Sequence, residues 1–176
     1  MDPTQSAHVG RVRHLRESFT AANDRLVARL RGVSDESAER PVPGAWSAAQ
    51  IGWHVARVST RFAGMIAGDM AGPEPLPESF QERRWADIAA SVPERLQAPS
   101  VAHPPPAVKR TEALAALEAS GTAMARAFDV LTQERGGRMG ITHAVVGTIN
   151  LYQVAEWATA HIARHNKQAK RILGQG

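Results

Sequence analysis

Apolar residues recur at alternating steps of three and four along four long segments of this chain, and that recurrence constrains the fold more than any other feature. Over residues 5–31 the series runs Val9, Val12, Leu15, Phe19, Ala22, Leu26 and Leu30, a spacing that gathers apolar side chains into one stripe of an α-helix. A second stripe, Ile51, Val55, Val58, Phe62 and Met65, follows a clear start signal. Ser47 can cap that helix with Gln50 as its reciprocal partner, while Trp46 and Ile51 stand at the hydrophobic-staple positions. A third helix is expected from about Thr111 to Glu134, with Leu114, Leu117, Gly121, Met124, Phe128 and Leu131 as its seam. Asn150 and Gln153 repeat the cap arrangement, with Ile149 and Val154 as the staple, so a fourth helix is expected over about 151–173.

Between these helices the chain carries turn chemistry. RGVSDESAERPVPGAW and DMAGPEPLP are rich in Gly, Ser and Pro, and end the first and second helices. From Gly72 to Val108 a long Pro-rich connection follows, in which Phe80, Trp85 and Ile88 predict a short helix over 79–91 lying across the other helices. ITHAVVG, rich in β-branched residues, is read as a loop leading into the last helix. No strand-length alternation occurs elsewhere. The expectation is an all-α fold in one domain, 1–176, a length that suits a single core.

Composition narrows the function. The chain has no cysteine, which rules out disulfides, thiolate metal ligands and a thiol nucleophile of its own. Its formal charge of +4 rests mostly on arginine, since Lys109, Lys167 and Lys170 are the lysines. These charges are spread over every helix with no basic run, so no nucleic-acid partner is expected. The N-terminus lacks the apolar run of a signal peptide and no segment is apolar enough to span a membrane, so a soluble, cytoplasmic protein with no membrane partner is expected.

The seam of the fourth helix departs from apolar residues in an informative way. It runs Val154, Trp157 or Ala158, then His161, His165, Gln168 and Ile172. Two imidazoles four residues apart lie on one helical face, close enough to share a metal ion, and here they occupy core positions. On the second helix His54 falls between Ile51 and Val58 and projects toward or beside the seam. A lone inward histidine is more often a hydrogen-bonded core residue than a ligand, but three from two helices can converge on one ion inside a bundle. His8, His14, His103 and His143 lie in less constrained positions; His143 stands as a candidate supporting group. HIARH has Ile162 where a zinc protease needs Glu, which argues against that chemistry. Gln168 can hydrogen-bond a ligand imidazole. Arg57 and Arg61 follow His54 on the same side of its helix as candidates to hold a substrate carboxylate, although exposed arginines flanking a seam are commoner.

PGAWSAAQIGWHVARV (Pro43 to Val58), with HAVVGTINLYQVAEWATAHIARHNKQAKRIL (His143 to Leu173) far downstream, resembles the DinB-like superfamily over nearly the whole chain. The shared pattern is Trp46 and Ser47 at a helix start, a histidine seven residues later, and a last helix with His161, His165 and Gln168. The resemblance implies a four-helix bundle of up-down-down-up type, often a homodimer, with a divalent metal held by His54, His161 and His165. It is nearest to the short single-domain branch that contains the bacillithiol transferases. Other members are mycothiol-dependent isomerases or metal-dependent hydrolases.

Three neutral imidazoles leave a divalent ion, zinc or nickel first and iron or copper next, with an open position, as in catalytic sites. The leading expectation is an enzyme that activates a low-molecular-weight thiol for attack on an electrophilic small molecule. Activation of water for hydrolysis is the alternative; it needs a general base, for which Glu156 lies off the face of His161 and Glu74, Glu78 and Asp87 are loop candidates. A third reading is a binding or stress-response module that the metal merely braces.

Overall fold

The structure, a computed structural model, describes residues 3–93 and 100–175. Four long helices dominate it: α1 (Pro3–Arg31), α3 (Ala48–Ala67), α5 (Arg110–Val130) and α7 (Leu151–Ile172). Shorter elements join them: α2 (Asp35–Glu39), α4 (Trp85–Ser91), a 3-10 turn (Ser100–Ala102), α6 (Gln133–Arg138) and the strands β1 (Glu74–Pro75), β2 (Met139–His143) and β3 (Gly147–Asn150). No helix among the described residues is long and apolar enough to cross a membrane.

The stripes read from the sequence meet in one core. Leu15, Phe19, Ala22, Leu26 and Leu30 of α1, Ile51 and Val55 of α3, Leu117, Met124 and Phe128 of α5, and Val154 and Ala158 of α7 are all buried together. α3 lies along α5 and also touches α7, while α1 packs on both α5 and α7. The α1 stripe overreaches at its start, where Val9 is 54% exposed. Close approach of α3 depends on Gly52: a Cβ there would stand 2.7 Å from Leu30 Cδ1 and 3.3 Å from Ala113 Cβ. This tight contact falls two residues before His54 and seats that part of α3 deep in the core.

Both expected caps form. Ser47 Oγ accepts from the Gln50 amide at 3.2 Å and Gln50 Oε1 accepts from the Ser47 amide at 2.9 Å. Asn150 and Gln153 do the same at the head of α7, at 3.0 and 3.1 Å. Each box also uses a spare amide to hold the long connection. Gln50 Nε2 donates to the carbonyls of Pro105 and Pro106, and Gln153 Nε2 donates to that of Arg83. Asn150 Nδ2 adds a bond to Glu82 at 2.8 Å, and Glu82 is in turn ion-paired with Arg11 of α1.

Three sequence expectations change. The short helix expected over 79–91 forms only from Trp85, because Glu82 and Arg83 are held by Asn150, Gln153 and the Val146 carbonyl, and Arg84 is extended. The third long helix stops at Val130 instead of continuing to Glu134, since Thr132 caps a new short helix by accepting from the Arg135 amide. ITHAVVG is not a loop: it supplies most of a β-hairpin, with Ile141 opposite Ile149 and Thr142 opposite Thr148, and β1 adds a third strand alongside Met139 and Gly140. The fold is mostly helical with this small antiparallel sheet. The middle of the expected Pro-rich connection, residues 94–99, lies outside the described residues.

Candidate metal centre

α3 and α7 face each other, and their inward stripes bring three imidazoles to one place. One ring nitrogen from each of His54, His161 and His165 lies within 4.8 Å of the other two. The ring centroids are 4.5 to 5.1 Å apart. His54 is buried, while His161 and His165 are half-buried, so the cluster opens toward the outside along α7.

Hydrogen bonds settle which nitrogens are left over. His54 Nδ1 lies 2.7 Å from the Ala102 carbonyl, and His165 Nδ1 lies 2.8 Å from Gln168 Oε1. Both partners are acceptors, so each Nδ1 must carry the proton and each neutral ring then presents its lone pair at Nε2. His54 Nε2 meets His161 Nε2 at 3.1 Å. Among the described residues, His161 Nδ1 is buried with no hydrogen-bond partner. A buried polar nitrogen left alone is costly, and a group in which His54 and His165 turn their Nε2 lone pairs to the cluster and their Nδ1 protons outward suits a cation. The three residues fit a divalent ion.

Electrostatics keep the rings uncharged. Burial pushes the His161 imidazolium well below its ordinary pKa, and His165, His54 and Arg164 push in the same direction. Burial, His54 and Arg164 bring His165 down to about 4 against the opposing bond to Gln168. His54 is lowered by burial and by His103, with the Ala102 bond pulling the other way. At neutral pH all three are uncharged, the state that metal ligation requires.

The other candidate residues fall in different places. Gln168 is in the site, bonded to His165. Arg57 and Arg61 are exposed on α3. His143, at the end of β2, sits edge-on to Trp157 at 4.9 Å and accepts from the Val145 amide; it is exposed and is not part of the histidine group. Glu156 points toward Arg11, 3.9 Å away, where burial raises its carboxyl. Glu74, Glu78 and Asp87 are exposed.

Two contributors were invisible as site residues in the sequence. Trp46, legible as a staple and as part of the shared helix-start pattern but not as a site residue, lays its ring 4.8 Å from that of His54 and stacks at 6.4 Å over His165. His103 stands edge-on to Trp46 at 6.0 Å, brought there by the turn that ends at Ala102. The signal that could have found Trp46 is its place one residue before the cap of the helix that carries His54.

A mostly helical protein whose two facing helices gather three neutral imidazoles around one point belongs to the class with an interior, metal-competent histidine site. A family model described as the DinB superfamily matches residues 18–169, a span that contains all three histidines, and the chain belongs to that superfamily. Comparison with curated proteins finds no match.

Proposed function

We propose that the chain is a metal-dependent enzyme that activates a low-molecular-weight thiol for transfer to an electrophilic small molecule, with His54, His161 and His165 as ligands of one divalent ion. The convergence of three uncharged imidazoles, with the Nε2 lone pairs of His54 and His165 turned inward, carries this reading. A divalent ion held there would supply fixed positive charge and an open coordination position, which favour the thiolate form of a bound thiol near neutral pH. Zinc and nickel suit three imidazoles, as do iron and copper in other geometries.

The chain's own groups do the positioning. The Ala102 carbonyl and Gln168 hold two of the rings by their Nδ1 protons, and the Trp46 ring walls one side of the cluster. With no cysteine in the chain, the sulfur must come from the co-substrate. Among the described residues no carboxylate joins the histidine group, which favours a thiol over water, because activated water needs a base beside it. The reading takes the chain as a single domain over 1–176, a four-helix bundle in up-down-down-up order, and a homodimer, as its resemblance to the superfamily implies.

Elemental analysis of tag-free protein tests it, beside a variant carrying both His161→Ala and His165→Ala. About one divalent ion per chain is expected, and loss of it in the variant. Protein that stays folded without metal and cannot be loaded overturns the proposal.

A further inference from the structure

The return of the long connection is gripped at two points by one face of α3. Gln50 and His54 stand four residues apart on that helix, one turn along the same side. His54 Nδ1 donates to the Ala102 carbonyl at 2.7 Å, and Gln50 Nε2 donates to the carbonyls of Pro105 and Pro106 at 2.8 and 3.1 Å. The other end of the Gln50 amide, Oε1, accepts from the Ser47 amide. These partners fix the orientation of the Gln50 amide, because a flipped group would set N–H against N–H and oxygen against two carbonyls.

The stretch between the two grips is stiff. His103 is followed by Pro104, Pro105 and Pro106, whose rings lock φ and whose backbone offers acceptors alone. Ala102 is buried, and the His103 amide closes the turn before it by donating to the Ser100 carbonyl at 3.1 Å. The His103 ring packs edge-on against Trp46, which itself lies against His54. A hold on Pro105 and Pro106 is therefore passed to the Ala102 carbonyl with little slack, and that carbonyl sets the tautomer and the aim of His54.

We propose that Gln50 is a positioning residue for the metal centre: its side-chain amide fixes the course of residues 102–106, and through the Ala102 carbonyl it aims His54 Nε2 at the cluster. The proline run of the connection and the spare donor of the α3 cap thereby take part in ion binding. This inference rests on the reading of His54, His161 and His165 as ligands of one ion, and is independent of whether thiol or water is activated there.

Substitutions separate the cap from the grip. Gln50→Glu keeps an acceptor for the Ser47 amide and loses the donor to Pro105 and Pro106, whereas Ser47→Ala keeps that donor and loses the hydroxyl that accepts from the Gln50 amide. Zinc affinity of the full chain is measured by chelator competition in high salt, which screens the added charge. Gln50→Glu is expected to bind zinc about 3- to 10-fold more weakly, a smaller loss than for a direct partner of a ligand because it acts at one remove. Ser47→Ala should lower the urea midpoint and leave zinc affinity near that of the unaltered chain. Pro104→Gly, which leaves both grips their partners and slackens the link, should weaken zinc as well. Exchange of the His103 amide gives a second readout: zinc should slow it in the unaltered chain, and slow it less in Gln50→Glu. Unchanged zinc affinity in Gln50→Glu or Pro104→Gly, or an equal fall in Ser47→Ala, overturns the positioning role and leaves the metal reading standing. Failure of the unaltered chain to bind zinc sinks the metal reading and this inference with it.

Discussion

The Nε2 atoms of His54 and His161 stand 3.1 Å apart, although the two residues are 107 positions apart in the chain. Two imidazole nitrogens bound to one tetrahedral zinc ion, each about 2.05 Å from it, would be roughly 3.3 Å apart. The helices therefore present these two rings at nearly the spacing that a shared ion requires, before any ion is considered.

Gln168 should matter through His165. Gln168→Leu removes the acceptor at His165 Nδ1 and is expected to weaken metal affinity by about 10- to 100-fold with little change in fold. Gln168→Glu, which keeps an acceptor, should retain most of the affinity. Competition against a chelator of known strength measures both; equal affinity in Gln168→Leu and the unaltered chain would remove Gln168 from the site.

Acid should destabilise the metal-free protein in a defined window. His165 titrates near 4 when folded, and an unfolded histidine titrates near 6.5, so between these values the unfolded chain binds the additional proton. Stability is therefore fully present above about pH 6.5 and falls as pH drops toward about 4. His54 and His161 are shifted the same way and deepen the loss. Urea midpoints measured across this range should decline, and those of His165→Gln should decline less; a midpoint that rises on acidification contradicts the burial of neutral rings.

Asn150 serves two partners that substitution can separate. Asn150→Ser keeps a cap acceptor but loses the bond to Glu82, and a loss of about 1 kcal/mol is expected. Asn150→Ala loses the cap as well and should cost about 1 kcal/mol more. Asn150→Asp keeps the cap but sets two carboxylates against each other where 2.8 Å now separates amide and acid, so it should fall below Asn150→Ser in stability. Denaturant unfolding ranks the three; Asp equal to or above Ser would show that Glu82 does not hold this helix start.

Gly140 is pinned by backbone. A Cβ at this position would lie 2.2 Å from the Ile149 carbonyl oxygen across the hairpin, a clash that only movement of β2 or β3 relieves. Gly140→Ala is expected to cost at least about 2 kcal/mol in chemical denaturation. An unchanged midpoint would mean that the hairpin register differs from the one described here.

The parts of this molecule that could be read from the sequence are those governed by local period. Helical spacing alone put His161 and His165 on the core face of α7, and the Ser47 and Asn150 boxes marked two helix starts to the residue. What escaped depends on distant partners. The hairpin residues 139–150 have too short an alternation to separate strand from loop, and pairing with Glu74 and Pro75 across the chain stabilises them. The late start of the short helix at Trp85 comes from side-chain amides at the head of α7 that hold Glu82 and Arg83, and the role of Trp46 from rings on α3 and α7. The His54 acceptor could not be read at all, because it is not a side chain.

That acceptor, the Ala102 carbonyl, leaves the cluster partly blind to side-chain genetics. Alanine scanning passes over position 102, where alanine already stands, and no exchange of side chain there removes the oxygen. The long connection thus reaches His54 Nδ1 through the course of its main chain rather than through a side chain. Beyond His103, its lettering could change widely while its path around Ala102 is preserved, and a one-residue deletion beside that position would disturb His54 more than many substitutions would.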